Sequence, residues 1–156
     1  MISYIFFIFL LIIATILSIL ISITDFRRRI IPDAYLFPLM LIGLTLIAFY
    51  SFPITLQSAV IGGAFGYLMS AIIGAGFNYY MTQKDSNTIA PIGMGDIKLL
   101  GVGGIWLGTN GLATALIIAC ILGAIWAKRK NQKYIPFAPF FFIGGFLSFI
   151  INLFLL

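Results

Sequence analysis

"LLGVGGIWLGTNGLATALIIACILGAIWA", residues 99–127, carries no charge from end to end. As one helix it would reach about 44 Å, well beyond a hydrocarbon core of about 30 Å. "GTNG" at 108–111 is a turn signal near its middle. The run is therefore predicted as two helices, the first short, beginning near Gly95 and ending near Leu107.

The flanking sequence divides in the same way. Residues 1–24 are uncharged and long enough to span a bilayer once. They have no basic start and no small-residue cleavage pattern, so they read as a retained transmembrane helix rather than a signal peptide. "DFRRRIIPDAY" (25–35) follows as a charged turn with Pro32 as breaker. Residues 34–83 again carry no charge, and "FYSFPIT" (49–55) breaks them at Pro53. Helices are predicted at about 34–50 and 57–81. Small residues in "IGGAFGYLMSAIIGAG" (61–76) recur at helical spacing and predict close helix packing rather than a phosphate loop. After "KRKNQKYIPFAPF" (128–140), a sixth helix runs toward the C-terminus.

Composition agrees. The 156 residues are 62% hydrophobic and 8% charged, against about 25% charged in soluble domains. A single all-α polytopic membrane domain, residues 1–156, is expected. Histidine is absent and Cys120 is the only cysteine. Imidazole catalysis, disulfides and cysteine-built metal sites are thereby excluded, and no cofactor or metal is expected. Cys120 is expected as a small core hydrophobe.

The charges test the helix count. In a six-helix chain, the connections after helices one, three and five share one side of the membrane, and they hold all nine Lys and Arg residues. Basic residues near span ends mark the cytoplasmic side. Both termini are then expected on the non-cytoplasmic side. The net charge of +5 belongs to lipid headgroups rather than nucleic acid.

All acidity lies in four aspartates, Asp25, Asp33, Asp85 and Asp96, on or bordering those connections. Asp25 closes the first helix and Asp96 opens the fourth, each among apolar neighbours. Ionisable groups at such depth are costly and by default point to function. The competing reading pairs Asp25 with Arg27–Arg29 and Asp96 with Lys98 at the headgroups. Two carboxylates sharing a site retain one proton between them, which suits activation of water against a peptide carbonyl. Gly93 and Gly95 supply the backbone freedom for a tight turn and a close approach.

"GMGDIKLL" (93–100) resembles the Gly-x-Gly-Asp-x-Lys-Leu signature of the type IV prepilin peptidases. "DFRRRIIPD", with Ile31, Pro32 and Asp33, resembles that family's first motif, an Asp followed by Ile-Pro-Asn. "PFAPF", with Pro136, Phe137 and Pro139, resembles its Pro-Phe-Gly-Pro segment. Presenilin-like proteases share the second motif, but their first aspartate follows a tyrosine; here Thr24 precedes it and Ile-Pro follows. The resemblance implies Asp25 and Asp96 as catalytic residues, with Gly93, Gly95, Lys98, Ile31, Pro32, Asp33, Pro136, Phe137 and Pro139 as supporting motif.

It also implies a bacterial inner-membrane peptidase facing the cytoplasm. Its substrates would be membrane-anchored prepilin or pseudopilin precursors, cut between a Gly and a hydrophobic residue. Asp33 replaces the family's usual Asn and is expected to order the turn or cap the second helix. The cysteine-bearing region of long-form members has no counterpart among these residues, so N-methyltransferase activity is not expected. Asp85 matches nothing. Lys98 and the helix-four N-terminus cast Asp96 as base and Asp25 as acid. Basic leaders would not be drawn to basic loops, so capture falls to the apolar stem, with small-residue grooves of helices three and four as expected docking surfaces. The rivals are an ion-coupled transporter, a non-catalytic subunit of a pilus or secretion machine, and, more remotely, a Ser86/Lys84 protease.

Overall fold

The computed structural model describes residues 2–50, 52–84, 92–131 and 135–155, and among them every regular element is helical. The helices are α1 (Ile2–Arg28), α2 (Asp33–Phe49), α3 (Leu56–Lys84), α4 (Met94–Lys130) and α5 (Phe137–Leu155). Three are long and apolar enough to cross a membrane, by length and composition: Ser3–Arg28, Leu56–Met81 and Met94–Lys130. Asp33–Phe49 and Phe137–Asn152 are shorter apolar helices. Asp85, Ser86 and the Lys84 side chain lie outside the described residues.

The decisive run is a single helical element, α4, broken at one residue. Gly108 has φ 67 and ψ −176, non-helical values inside Met94–Lys130. Residues with a Cβ rarely adopt this conformation, and glycine does so freely. The chain reverses there. A Cβ built on Gly66 would come within 2.5 Å of the Leu100 carbonyl oxygen and 2.8 Å of a Leu112 methyl. In a straight helix those two residues would stand about 18 Å apart. The two halves of α4 therefore double back, as "GTNG" predicts. A buried hydroxyl secures the bend, because Ser148 of α5 donates to the Gly111 carbonyl at 2.8 Å.

Arg27 and Arg28 occupy the last turn of α1, where cations complement the helix dipole. Arg29 then turns left-handed (φ 57) and its N–H donates to the Asp25 carbonyl at 2.9 Å. Pro32, in extended conformation, is the N-cap of α2. Asp33 is thus the first helical residue and not the expected cap.

Contact between α3 and the first half of α4 is backbone on backbone. A Cβ added to Gly62 or Gly104 would collide with the other residue's carbonyl. Lipid offers helices no hydrophobic drive to associate, so such close packing supplies the attraction. It engages Gly62, Gly63 and Gly66 of α3 with Leu100, Gly101 and Gly104 of α4. These glycines face each other, whereas an added Cβ at Gly76 of α3 meets nothing within 4 Å. The core gathers Ile21, Leu36, Leu46, Leu99 and Leu112, all fully buried. Large apolar side chains cover the outside, including Ile12, Leu41, Ile72, Ile117 and Phe146. Cys120 joins this exposed face. It is not a core residue, because its side of α4 has no helix packed upon it.

Candidate active site

Asp25 lies in the last turn of α1 and is 5% exposed. Its Oδ2 accepts a hydrogen bond of 2.8 Å from the Ala138 N–H, and the Phe137 amide and Arg29 charge also act on it. Ala138 is the second residue of α5, where backbone N–H groups have no partner within the helix. "PFAPF" is built for this. Pro136, fully buried, and Pro139 carry no N–H, while Pro suits the first turn of a helix. The donors left free are those of Phe137 and Ala138. Ala138 is itself completely buried, so a small residue lets α5 abut α1.

Asp96 is the third residue of α4. Its N–H donates to the Gly93 carbonyl at 3.1 Å, and its Oδ2 accepts from the Gly93 N–H at 3.3 Å. This reciprocal cap satisfies two groups at the helix start. Gly95 is pressed on the Asp25 loop: a Cβ there would stand 2.9 Å from the Ile31 Cβ. Ile31 is buried, so the first turn of α4 rests directly on the connection between α1 and α2.

Two segments far apart in sequence, each carrying an aspartate, thus meet through Gly95 and Ile31. Asp25 acts coulombically on Asp96. Each is also tied to a helix end, which uses only part of a carboxylate's hydrogen-bonding capacity. A pair of carboxyls in one partly buried setting can move a proton and polarise a carbonyl without any metal or imidazole. No group of three or more metal-ligating side chains occurs among the described residues.

Lys98 does not serve Asp96. Its Nζ lies 2.6 Å from Asp33 Oδ2, with both side chains partly exposed. Two positions along a helix do not face the same way, so Lys98 reaches Asp33 of α2 while Asp96 turns back to the Gly93 N–H. Asp33 departs from the family's usual Asn in the resemblance, and here it joins two of the three motif segments.

Compared with known protein families, residues 4–128 match the type IV leader peptidase family. The chain belongs to that family. Two relatives named prepilin leader peptidase/N-methyltransferase are 34% identical to it. The one from Burkholderia pseudomallei (strain 1026b) aligns over 80% of this chain and 40% of its own length, the one from Dichelobacter nodosus over 81% and 43%. A protein of that name from Escherichia coli (strain K12) is 29% identical over 81% of this chain and 56% of its own. The chain thus spans about half the length of the curated relatives it matches. No solved structure matches it significantly.

Within this leader peptidase family member, sequence reasoning missed the Ala138 N–H and an aromatic bridge. Phe26, next to Asp25, meets Trp126 edge-on with ring centroids 5.9 Å apart, and Trp126 meets Phe140 at 5.9 Å. A backbone donor leaves no signature in side-chain identity. The alanine between two Pro-bearing dipeptides was the available clue.

Proposed function

We propose that this chain is an aspartic endopeptidase of the bacterial inner membrane that removes the short cytoplasmic leader from prepilin-like or pseudopilin precursors. The observation carrying the proposal is the packing of Gly95, next to Asp96, on Ile31 of the connection that follows Asp25, where two of the motif segments meet and the third donates Ala138 N–H to Asp25. Its membrane arrangement is six spans, counting the halves of α4 on either side of Gly108 separately, with both termini on the non-cytoplasmic side. All basic connections and both aspartates then face the cytoplasm. The precursor's leader reaches the pair from that side while its apolar helix stays in lipid.

Peptide hydrolysis by the pair proceeds through water. One carboxylate takes a proton from water as the oxygen bonds to the scissile carbonyl carbon. The other carboxyl hydrogen-bonds the carbonyl oxygen as it gains negative charge. Collapse breaks the C–N bond, and the proton taken from water passes to the leaving nitrogen. We read the role order opposite to the one expected from sequence. Lys98 is engaged by Asp33, whereas Asp25 receives the α5 N-terminus, which supports an ionised carboxylate. Asp25 is assigned as base and Asp96 as acid, within a pair that titrates as a unit.

The test is co-expression with candidate pilin precursors, following leader loss on a gel for the wild type, Asp25→Asn and Asp96→Asn. Leader loss confined to the wild type supports the proposal. A second reading has one observation behind it, since each aspartate also caps a helix end. Purely structural caps would tolerate Asn, which keeps an acceptor oxygen, and leader loss with both variants would select that reading.

A further inference from the structure

Between α1 and the rest of the bundle lies an open apolar groove of about 1160 Å³. Among the described residues the backbone of α1 approaches α2 and α5 but neither α3 nor α4, which leaves this space. Its walls run from Phe7, Phe52 and Phe149 at one end to Phe26 and Pro139 at the other. Phe26 and Pro139 adjoin, in sequence, Asp25 and Ala138, whose hydrogen bond builds the site. The groove therefore ends beside Asp25.

Its length and its chemistry both limit the occupant. From Phe7 to Arg27 the wall of α1 rises about 30 Å, the depth of a hydrocarbon core. Thr15, Ser18 and Ser22 line it, but their hydroxyls donate to Leu11, Ala14 and Ser18 carbonyls of their own helix, each at 2.8 Å. These residues thus bring small size without free donors. Ala14, Ser18 and Ser22 are spaced four apart, a pattern that permits close approach of another helix. Across the groove stand Val102 and Trp106 of α4 and Phe142 of α5. The Trp106 indole N–H is already given to the Leu39 carbonyl at 3.0 Å. An occupant must then satisfy its own backbone, as an α-helix does.

We propose that this groove seats the membrane-spanning helix of the precursor, with the helix N-terminus held at the Asp25/Asp96 end so that the leader crosses the pair. The inference rests on the peptidase reading and goes beyond it by placing specificity in α1. Continuity with the cutting site favours a substrate helix over a lipid acyl chain.

Two readouts test it. In the first, Ser18→Trp fills the groove at mid-depth, with Ser18→Ala as the fold control. Cleavage is compared for the full precursor and for a short soluble peptide spanning the scissile bond. Relative to Ser18→Ala, Ser18→Trp should lower the ratio of full-precursor to peptide cleavage at least tenfold. An unchanged ratio overturns the groove. In the second, a photo-crosslinking residue replaces Ser18, or Ile72 on the outer face of α3, in an Asp25→Asn background that retains the precursor. Adducts to the precursor's apolar helix from position 18 and not from position 72 support the proposal, and lipid adducts alone from position 18 overturn it. Cleavage of neither substrate by the wild type would refute the peptidase reading, while the crosslinks would still decide the groove.

Discussion

Asp25 and Ala138 are separated by 113 positions, yet the Asp25 carboxylate accepts the Ala138 N–H at 2.8 Å. This bond fastens the end of α1 to the start of α5. It means that a change at Asp25 affects the fold as well as the chemistry, and the two effects have to be separated.

Asp25→Asn keeps an acceptor for Ala138, while Asp25→Ala leaves a buried N–H unpaired at a cost of about 1–3 kcal/mol. In detergent, Asp25→Asn should unfold close to the wild type and Asp25→Ala distinctly earlier. Both should lose leader removal by about 100-fold or more, the usual loss with an acid–base group. A wild-type rate in Asp25→Asn would remove the residue from catalysis.

The contact between Gly95 and Ile31 should respond to size alone. Gly95→Ala places a methyl 2.9 Å from the Ile31 Cβ, closer than carbon atoms tolerate. The first turn of α4, and Asp96 with it, must shift. Leader removal should fall about tenfold or more, as a misplacement near 1 Å can cost about 100-fold. Gly95→Ala combined with Ile31→Gly should recover part of it. No recovery in the double variant would show that the glycine acts through something other than this contact.

The Asp33–Lys98 pair is partly exposed, so its worth is about 0.2–1 kcal/mol and screened by salt. Asp33→Asn and Lys98→Ala should each lower stability by no more than that, and the double variant by no more than the larger single effect. Thermal unfolding at low and high salt checks this. Additive losses would mean that the two side chains do not act as a pair.

At Gly108, the combination of φ 67 and ψ −176 is open in practice to glycine alone, and a Cβ would approach Ser58 Oγ at 2.6 Å. Gly108→Ala should destabilise by about 1–3 kcal/mol, visible as a lower unfolding temperature in detergent. Gly76, where an added Cβ meets nothing within 4 Å, is the control: Gly76→Ala should be neutral or stabilising. Equal tolerance at both positions would refute the reversal at 108.

Periodicity and charge made the helical class and the break at "GTNG" readable, because membrane helices need length and apolar continuity that few other structures share. The positions of Asp25 at the end of α1 and Asp96 at the start of α4 were readable for the same reason, since charges border the apolar runs. Lys98 was misassigned because adjacency along a helix hides direction: position 98 turns to Asp33, away from Asp96. Cys120 was misplaced because an apolar run looks alike whether it faces lipid or protein.

The amino-acid order alone determined where the chain crosses from apolar to polar, where it must bend, and which acidic groups it sets at those borders. Those are local properties, written in runs of a few residues. Only the tertiary structure decided that Asp25 meets Ala138, that Gly95 rests on Ile31 and Gly62 and Gly104 close α3 on α4, and that α1 stands off to leave a groove. Such relations depend on which helix faces share a contact, and a linear pattern of apolar residues cannot specify that when lipid and protein neighbours are equally apolar.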